Sequence, residues 1–342
     1  MKQYLVLYFS IFLFYNAFGQ VRKLTVNQGH FSSINSVDFS PNGQWIASAS
    51  NDNTVKIWTA KSGKIIRSLK GHSGSVNWAC FSPNSQLIAS ISLDKTIKIW
   101  NAKSGEIIQT LTGDYDWNNW IYFSPNNKLL ASASYNNTIQ IWNIKSGKII
   151  RTFKAHSDQI NSLIFSPNGK LIASASKDKT IKIWKVKSGK LIRTLKGHSD
   201  LIHNISYSPD GKFITSTSMD KTIKIWKVKS GKIVQTLKEK TDLIYNICYS
   251  PNGKFIISAS NDNSIKIWDV KSGQLLLTLY AFEKGKAFLV ISPNGQYDSN
   301  EAGLKYLHYV EDMKAIPLSK NDPNFVKGLL SKTLKNSFLL KK

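Results

Sequence analysis

The chain has 342 residues, of which 42% are hydrophobic and 20% are charged; this is normal for a globular protein and excludes a disordered chain of low hydrophobicity. An all-β fold can use this length as one domain, so length alone does not require two. Lys and Arg number 46 against 21 Asp and Glu, and the formal net charge of +25 bears on contacts with nucleic acid or other anionic surfaces. A general enrichment in lysine without functional meaning is the alternative explanation.

The first twenty residues differ from the rest of the chain. Lys2 supplies a positive charge, residues 4–18 are almost wholly apolar, and Ala17 and Gly19 are small residues at the −3 and −1 positions of a cleavage site. The apolar run is shorter than the about 20 residues that a membrane-spanning helix needs. We predict a signal peptide over residues 1–19 and an exported protein, periplasmic or extracellular, that does not span the membrane after cleavage. An uncleaved anchor is the alternative.

A repeat of 42 residues organises the chain that follows. Tryptophan recurs at this interval at Trp58, Trp100, Trp142, Trp184, Trp226 and Trp268. A Ser-Pro-Asn/Asp turn begins at Ser40, Ser82, Ser124, Ser166, Ser208, Ser250 and Ser292. A period in the low forties is typical of the four-stranded blades of a β-propeller.

Each repeat has the composition of four short strands. In the repeat around Ser166, β-branched and apolar residues fill 160–165, 170–176, 180–184 and 191–195, and turn residues separate them. In the first turn, proline presets φ and Gly169 accepts a positive φ, which suits a tight hairpin. The small side chains of the second strand predict close packing between neighbouring blades.

The motifs of one repeat identify a family resemblance. Gly197-His198, the Ser-Pro-Asp-Gly turn at Ser208, Asp220 and Ile225-Trp226 resemble the WD-repeat (G-beta-like) pattern, and in particular its bacterial secreted members, over roughly residues 21–310. The resemblance implies a tetrad of hydrogen-bonded residues in each blade: a His before the first strand, a Ser on the second, an Asp in the turn after it, and the Trp. The implied members are His30, Asp52 and Trp58; His72, Asp94 and Trp100; His156, Asp178 and Trp184; and His198, Asp220 and Trp226, with a serine such as Ser48 or Ser50 as the fourth partner.

Two repeats depart from this pattern. The third carries Asp114 and Asn136 where His and Asp are expected, and the sixth carries Lys240 in place of His. These blades are expected to lack the full network.

The last repeat predicts seven blades rather than six. Residues 287–291 precede the seventh turn as a first strand, and residues 296–298 and 304–310 can supply the second and third. Residues 21–26 lie where an outer strand belongs, so the N-terminal strand is predicted to close the last blade and remove free sheet edges. The predicted fold is therefore an all-β, seven-bladed WD-repeat β-propeller over residues 20–310. Residues 311–342 form a tail in which 326–340 have the apolar spacing of a short helix.

No residue pattern indicates a catalytic or metal centre. The recurring histidines and aspartates occupy equivalent places in separate blades, so they are not expected to converge on one ion. Cys80 and Cys248 occupy equivalent positions four blades apart and are expected to be buried and unpaired, because a disulfide needs Cα atoms within about 7 Å. Phosphate-binding loops, nucleophile elbows and zinc-ligand spacings are absent from the sequence. We predict that the protein is not an enzyme and needs no cofactor or metal; a propeller enzyme is the least favoured alternative.

Two surfaces are candidates for partner binding. The resemblance implies that partners dock on the top face, where the repeat positions are Trp117, Asn119, Tyr135, Asn161, Lys177, His203, Met219 and Tyr245. Aromatic residues beside amides are typical of interface hot spots. The second candidate is a basic rim of lysines in the hairpins between third and fourth strands: Lys61, Lys64, Lys103, Lys145, Lys148, Lys187, Lys190, Lys229, Lys232 and Lys271.

These surfaces lead to two functional hypotheses. The first is an exported, non-enzymatic scaffold for protein–protein interaction that holds a protein or peptide on its top face. The alternative is a module that binds a polyanion or an envelope surface through its basic rim. Nucleic acid is not expected as a partner, because the aromatics are not interleaved with these lysines.

Overall fold

The computed structural model describes residues 29–112, 120–134, 136–238, 243–282, 287–300, 308–311, 314–317, 323–327 and 329. Its elements are all β-strands, and the chain divides into two compact units, residues 1–202 (unit 1) and 203–342 (unit 2). Within the described part of the chain, no helix is long and apolar enough to cross a membrane.

Unit 1 contains four antiparallel sheets, each built from four strands that follow one another in the chain. Sheet 1 has β1 (Ile34–Phe39), β2 (Trp45–Ser50), β3 (Val55–Thr59) and β4 (Ile65–Leu69); sheet 2 has β5 (Val76–Phe81), β6 (Leu87–Ser92), β7 (Thr96–Asn101) and β8 (Ile107–Thr112); sheet 3 has β9 (Trp120–Phe123), β10 (Leu129–Ala133), β11 (Thr138–Asn143) and β12 (Ile149–Lys154); sheet 4 has β13 (Ile160–Phe165), β14 (Leu171–Ser176), β15 (Thr180–Lys185) and β16 (Leu191–Lys196).

Unit 2 contains a four-stranded sheet, a six-stranded sheet and a separate hairpin. Sheet 5 has β17 (Ile202–Tyr207), β18 (Phe213–Ser218), β19 (Thr222–Lys227) and β20 (Ile233–Lys238); sheet 6 has β21 (Ile244–Tyr249), β22 (Phe255–Ser260), β23 (Ser264–Asp269), β24 (Leu275–Phe282), β25 (Ala287–Ile291) and β26 (Tyr297–Ser299); the hairpin has β27 (His308–Glu311) and β28 (Lys314–Pro317).

The turn after each first strand is held by its serine. Ser40 Oγ donates to Asn42 Oδ1 at 2.7 Å, and Trp45 N donates to Ser40 Oγ at 2.8 Å. Gly43 has a φ of +71°, the left-handed conformation that glycine adopts without steric cost. The Ser-Pro-Asn-Gly sequence thus fixes the register of the first hairpin.

Small residues on the second strands allow consecutive sheets to pack closely. Ala47 and Ala49 of β2 are fully buried in one cluster with Val76, Ala79 and Trp100 of sheet 2. The predicted role of the Ala-Ser segments in packing between blades agrees with this cluster. Equivalent clusters join sheet 2 to sheet 3, sheet 3 to sheet 4 and, within unit 2, sheet 5 to sheet 6.

Polar contacts add to this packing. Ala79 N donates to Ser36 Oγ at 2.9 Å, and Phe81 N donates to Asp38 Oδ2 at 2.7 Å. Both bonds run from the first strand of sheet 2 to the first strand of sheet 1. Hydrogen bonds between first strands therefore add to the apolar packing of sheet 1 against sheet 2.

The prediction of seven blades is wrong, because the described residues form six blade-type sheets. The strand over residues 287–291, predicted to begin a seventh blade, pairs with the outer strand of sheet 6, with Leu279 opposite Val290. β26 then pairs with β25 as a sixth strand. The unpaired edge of β24 exposes backbone donors and acceptors, and an apolar strand that follows closely in the chain satisfies them. The proposed closing strand over residues 21–26 lies outside the described residues, as do residues 304–307 of the predicted third strand.

The prediction of a helical tail is also wrong for the described residues, whose bounded elements are all strands; most of residues 326–340 lie outside them. At the start of the segment predicted as a helix, Val326 N donates to Tyr297 O at 2.7 Å, and Tyr297 N donates to Asn324 O at 2.9 Å. These two bonds form a parallel bridge between Tyr297 and Phe325, whose rings meet edge to face. The first residue of the predicted helix thus bonds to β26.

The inner strands of sheet 6 are less covered than those of the earlier sheets. Cys248 is exposed, and Ile257 and Ala259 are half-buried, whereas the equivalent Ala47 and Ala49 of sheet 1 are fully buried. The expectation that both cysteines are buried therefore holds for Cys80 and is wrong for Cys248.

Candidate interaction surface

A relay of hydrogen bonds links the four tetrad residues of sheet 2. Trp100 Nε1 donates to Ser90 Oγ at 2.7 Å, Ser90 Oγ lies 2.7 Å from His72 Nε2, and His72 Nδ1 lies 2.8 Å from Asp94 Oδ2. The same contacts join His30, Ser48, Asp52 and Trp58 in sheet 1, and His156, Ser174, Asp178 and Trp184 in sheet 4. Ser48 rather than Ser50 is thus the serine of the relay in sheet 1.

The charges in this relay are set by burial and hydrogen bonding. Burial lowers the pKa of His72, and the hydrogen bond with Asp94 only partly offsets this effect. The imidazole is therefore neutral, so that Nδ1–H donates to Asp94 and Nε2 accepts the Ser90 hydroxyl proton. Burial alone would raise the pKa of Asp94, but hydrogen bonds from Thr96 and His72 outweigh it and lower that pKa.

The Ser–His–Asp order resembles that of a hydrolytic triad, but the environment of the serine does not suit catalysis. A nucleophilic serine needs a free Oγ that faces a substrate. Ser90 is fully buried, and its Oγ already accepts the indole N–H of Trp100. Each relay therefore stabilises its own sheet, because it links the residue before the first strand to the second and third strands.

In unit 2 the tetrad contacts of sheet 5 centre on Asp220 and Trp226. Trp226 Nε1 donates to Ser216 Oγ at 2.7 Å, and Thr222 Oγ1 donates to Asp220 Oδ1 at 2.6 Å. His198, the predicted fourth partner, is buried and belongs to unit 1.

The two sheets that depart from the pattern keep part of the network. In sheet 3, Asn136 Oδ1 accepts the Thr138 hydroxyl at 2.6 Å, while Asp114 lies outside the described residues. In sheet 6, Lys266 Nζ donates to Asp262 Oδ2 at 3.1 Å, while Lys240 also lies outside the described residues. A lysine of the third strand thus supplies the positive partner of the turn aspartate in sheet 6.

The predicted top-face residues of unit 1 are only partly described. Trp117, Asn119 and Tyr135 lie outside the described residues. Asn161 Nδ2 donates to Ile202 O at 2.9 Å, and Lys177 is exposed in the turn after β14. The amide N–H of Asn161 is therefore used in a hydrogen bond with the backbone.

Two of the predicted residues of unit 2, His203 and Tyr245, contact each other. The rings of His203 (β17) and Tyr245 (β21) meet edge to face, with centroids 5.4 Å apart. Tyr245 Oη donates to Asn261 Oδ1 at 3.2 Å, and Tyr245 is 37% exposed. Met219 is half-buried in the turn after β18, at the repeat position that Asn261 holds in sheet 6. We call His203, Met219, Tyr245 and Asn261 the His203–Tyr245 surface.

An aromatic cluster on the first strands of unit 1 was not predicted. The rings of Trp78 and Trp120 lie 4.3 Å apart, and the ring of Tyr122 lies 5.9 Å from that of Trp78. Trp78 and Trp120 occupy the same repeat position, 42 residues apart, where sheets 1 and 4 carry the small residues Ser36 and Ser162. Alignment of the repeats at this position would have revealed the cluster.

Among the described residues, no three or more His, Cys, Asp or Glu side chains lie together so that they could hold one metal ion. The recurring histidines and aspartates of unit 1 are instead paired within separate sheets.

Family models match most of the repeats. The model described as WD domain, G-beta repeat matches residues 21–59, 63–101, 147–185, 189–227 and 231–269, more than half of the chain. The model described as Anaphase-promoting complex subunit 4 WD40 domain matches residues 118–165, the region of the divergent third repeat.

Curated relatives resemble the chain over about one repeat. A Ribosome biogenesis protein BOP1 homolog of Dictyostelium discoideum is 48% identical over 42 residues, 12% of this chain and 5% of the relative. Ribosome assembly protein 4 of Chaetomium thermophilum is 50% identical over 40 residues, 12% of this chain and 8% of the relative. Ribosome assembly protein 4 of Saccharomyces cerevisiae is 38% identical over 58 residues, 17% of this chain and 11% of the relative. The chain thus spans 5 to 11% of the length of these relatives.

These relatives overturn the predicted location. The chain was expected to be exported to the periplasm or the cell exterior, but the matched proteins are eukaryotic and are named for ribosome biogenesis and assembly. That prediction rested on residues 1–19, which lie outside the described residues. An apolar N-terminal run alone was too weak a basis for assigning a compartment.

Proposed function

We propose that this chain, which belongs to the WD domain, G-beta repeat family, binds a protein or peptide partner at the His203–Tyr245 surface and catalyses no reaction. WD repeats suggest a scaffold for protein interaction. The described surface adds a specific place where a partner side chain can be held.

The observation that carries the proposal is a change of residue type at one repeat position. In unit 1, Asn35 and Asn161 occupy this position and donate to the backbone carbonyls of Val76 and Ile202. In unit 2, the same position carries His203 and Tyr245, whose rings contact each other. A polar residue that supports the fold is thus replaced by an aromatic pair, which is the composition of an interface hot spot.

The chemistry of the surface fits an apolar or aromatic anchor from an extended peptide. Tyr245 offers an exposed aromatic ring, and Met219 offers a polarisable thioether that adapts to the shape of a partner. The amide of Asn261 is exposed and can pair with the peptide backbone. Tyr245 is held on strand β21, so less conformational entropy is lost at this side chain on binding.

The buried relays support the absence of catalysis at the sites that most resemble a triad. Ser48, Ser90 and Ser174 are all fully buried, and each accepts an indole N–H. A substrate would have to displace the packed strands to reach them.

Selection from a random-peptide display library on the purified chain tests the proposal. We expect enriched peptides with an apolar or aromatic anchor, and loss of their binding on Tyr245→Ala and His203→Ala proteins. Val234→Ala changes an exposed residue on an outer strand of the same unit and serves as the matched control. The absence of enriched peptides, or peptides that bind all four proteins equally, would contradict the proposal.

A further inference from the structure

Exposed aliphatic side chains of unit 1 concentrate at one place in each sheet. They lie at the start of the fourth strands, directly after the hairpins that join third to fourth strands: Ile66, Ile107, Ile108, Ile149, Ile150, Leu191 and Ile192, each 39–54% exposed. An outer strand is expected to be more accessible than an inner one, but solvated edges usually carry polar or charged residues. Because exposed aliphatic residues recur at this place in all four sheets, they indicate a binding surface.

The hairpins beside these residues carry exposed lysines. Each hairpin of unit 1 contains a Lys-Ser-Gly sequence, and its exposed lysines are Lys61 and Lys64, Lys103, Lys145 and Lys148, and Lys187 and Lys190. Glu106 is the only acidic residue in the sequences of these four hairpins. The hairpin ends of the fourth strands therefore combine exposed aliphatic area with positive charge.

Contacts between sheets fix the hairpins of sheets 2 and 4 against the fourth strands of sheets 1 and 3. Arg67 Nε donates to Lys103 O at 2.6 Å, and Arg151 Nε donates to Lys187 O at 3.2 Å. A Cβ added to Gly105 would lie 2.9 Å from Arg67 Cδ, which shows how closely the hairpin of sheet 2 rests on β4. The lysines of one sheet are thus held next to the aliphatic residues of the preceding sheet.

We propose that the hairpin ends of the fourth strands in unit 1 bind the surface of an anionic lipid bilayer. The aliphatic side chains enter the boundary between headgroups and acyl chains, and the lysines meet the lipid phosphates. A lipid surface uses both features, whereas a nucleic acid would use the charge and leave the aliphatic residues without a partner. This surface is separate from the His203–Tyr245 surface and goes beyond the proposed function.

Flotation with vesicles tests the proposal on the full chain. One set of vesicles contains phosphatidylglycerol and phosphatidylcholine, and the other contains phosphatidylcholine alone. We expect the wild-type protein to float with the anionic vesicles only, and high salt to weaken this binding without abolishing it, because the aliphatic contacts are not screened.

Three matched triple variants separate the contributions. We expect Lys103→Gln/Lys145→Gln/Lys187→Gln and Ile108→Ser/Ile150→Ser/Ile192→Ser each to lower vesicle binding by about tenfold or more. Lys70→Gln/Lys154→Gln/Lys196→Gln removes the same charge at the opposite ends of three of these strands and should bind nearly as the wild type does. Circular dichroism and thermal melting establish that each variant is folded.

Several outcomes would overturn the proposal. One is that the wild-type protein does not float with anionic vesicles. A second is that the triple Ile→Ser variant binds as the wild type does. A third is that the two triple Lys→Gln variants lose binding equally. Either of these results would indicate general attraction of a basic protein to polyanions. Duplex DNA serves as the competing probe. If the protein does not bind vesicles, and if the triple Ile→Ser variant binds DNA as the wild type does, the surface would be assigned to nucleic acid.

Discussion

The ring of His203 meets the ring of Tyr245 edge to face at a centroid distance of 5.4 Å, on first strands of neighbouring sheets in unit 2. Tyr245 lies on β21, which packs against sheet 5, so its ring is held in place before any partner arrives. Edge-to-face aromatic pairs contribute about 0.5–1.5 kcal/mol beyond the burial of their area. The surface is therefore preorganised, which is the property that interface hot spots require.

The relay of sheet 2 predicts a large effect of Ser90→Ala on stability. The substitution leaves Trp100 Nε1 and His72 Nε2 buried without their partner, and each unsatisfied group costs about 1–3 kcal/mol. We expect the free energy of unfolding, measured by urea denaturation, to fall by about 2–4 kcal/mol.

Ser258→Ala is the matched control for that measurement. Ser258 accepts the indole N–H of Trp268 at 2.9 Å in a repeat that carries Lys240 instead of histidine. The loss of stability should be smaller than for Ser90→Ala. Equal losses would show that the histidine adds little to the relay.

The ionisation of Asp38 is expected to make the stability of the folded protein depend on pH. Burial raises the pKa of this carboxyl from 3.8 to about 7, and hydrogen bonds from Phe81 N and Phe39 N only partly oppose it. Since the folded-state pKa is above the unfolded-state value, the folded protein loses stability as pH rises from 3.8 to about 7. Burial also raises the pKa of the neighbouring Cys80 and Tyr122, so neither carries a charge in this range.

Asp38→Asn should remove that dependence. The amide oxygen can still accept the Phe81 N–H, and the side chain has no charge to desolvate. Thermal melting across pH should show the variant more stable than the wild type at pH 8 and equal to it near pH 4. A variant that is less stable at pH 8 would mean that the carboxylate is favourable where it lies.

The different accessibility of the two cysteines provides a test of the six-sheet arrangement. Cys248 is exposed on the first strand of sheet 6, whereas Cys80 is buried and its Sγ donates to Ile121 O. Because the thiolate is the reactive form, alkylation of Cys248 by iodoacetamide should speed up as pH rises. Peptide mass spectrometry should find Cys248 labelled in the native protein and Cys80 labelled only after denaturation. Equal protection of both thiols would indicate that a further sheet covers the first strand of sheet 6.

The regular part of the fold could be predicted from the sequence because each repeat contains its own turn and strand residues. The Ser-Pro turns, the tryptophans and the His–Asp pairs appear in the structure at the expected intervals, as at Ser40 and Trp58. Such local patterns depend on contacts within one repeat or between adjacent repeats. They can therefore be read from spacing alone.

The end of the chain could not be predicted in the same way. The strand over residues 287–291 has the composition of a first strand, and its choice between a new sheet and the free edge of β24 depends on tertiary pairing. The apolar spacing of residues 326–340 likewise predicted a helix, but at its start Val326 bonds to Tyr297 of β26, and most of the segment lies outside the described residues. The aromatic pair of the candidate surface could be named from the repeat register, but its edge-to-face contact depends on how sheets 5 and 6 pack.

The most direct test of the central claim is the dissociation constant of a library-selected peptide, measured by isothermal titration calorimetry at low and high salt. We expect Tyr245→Ala and His203→Ala each to weaken binding by at least about tenfold, or about 1.4 kcal/mol, while Val234→Ala has no effect and salt changes the constant little. Equal affinity for all four proteins, or binding that disappears at high salt, would contradict the assignment of partner binding to the His203–Tyr245 surface.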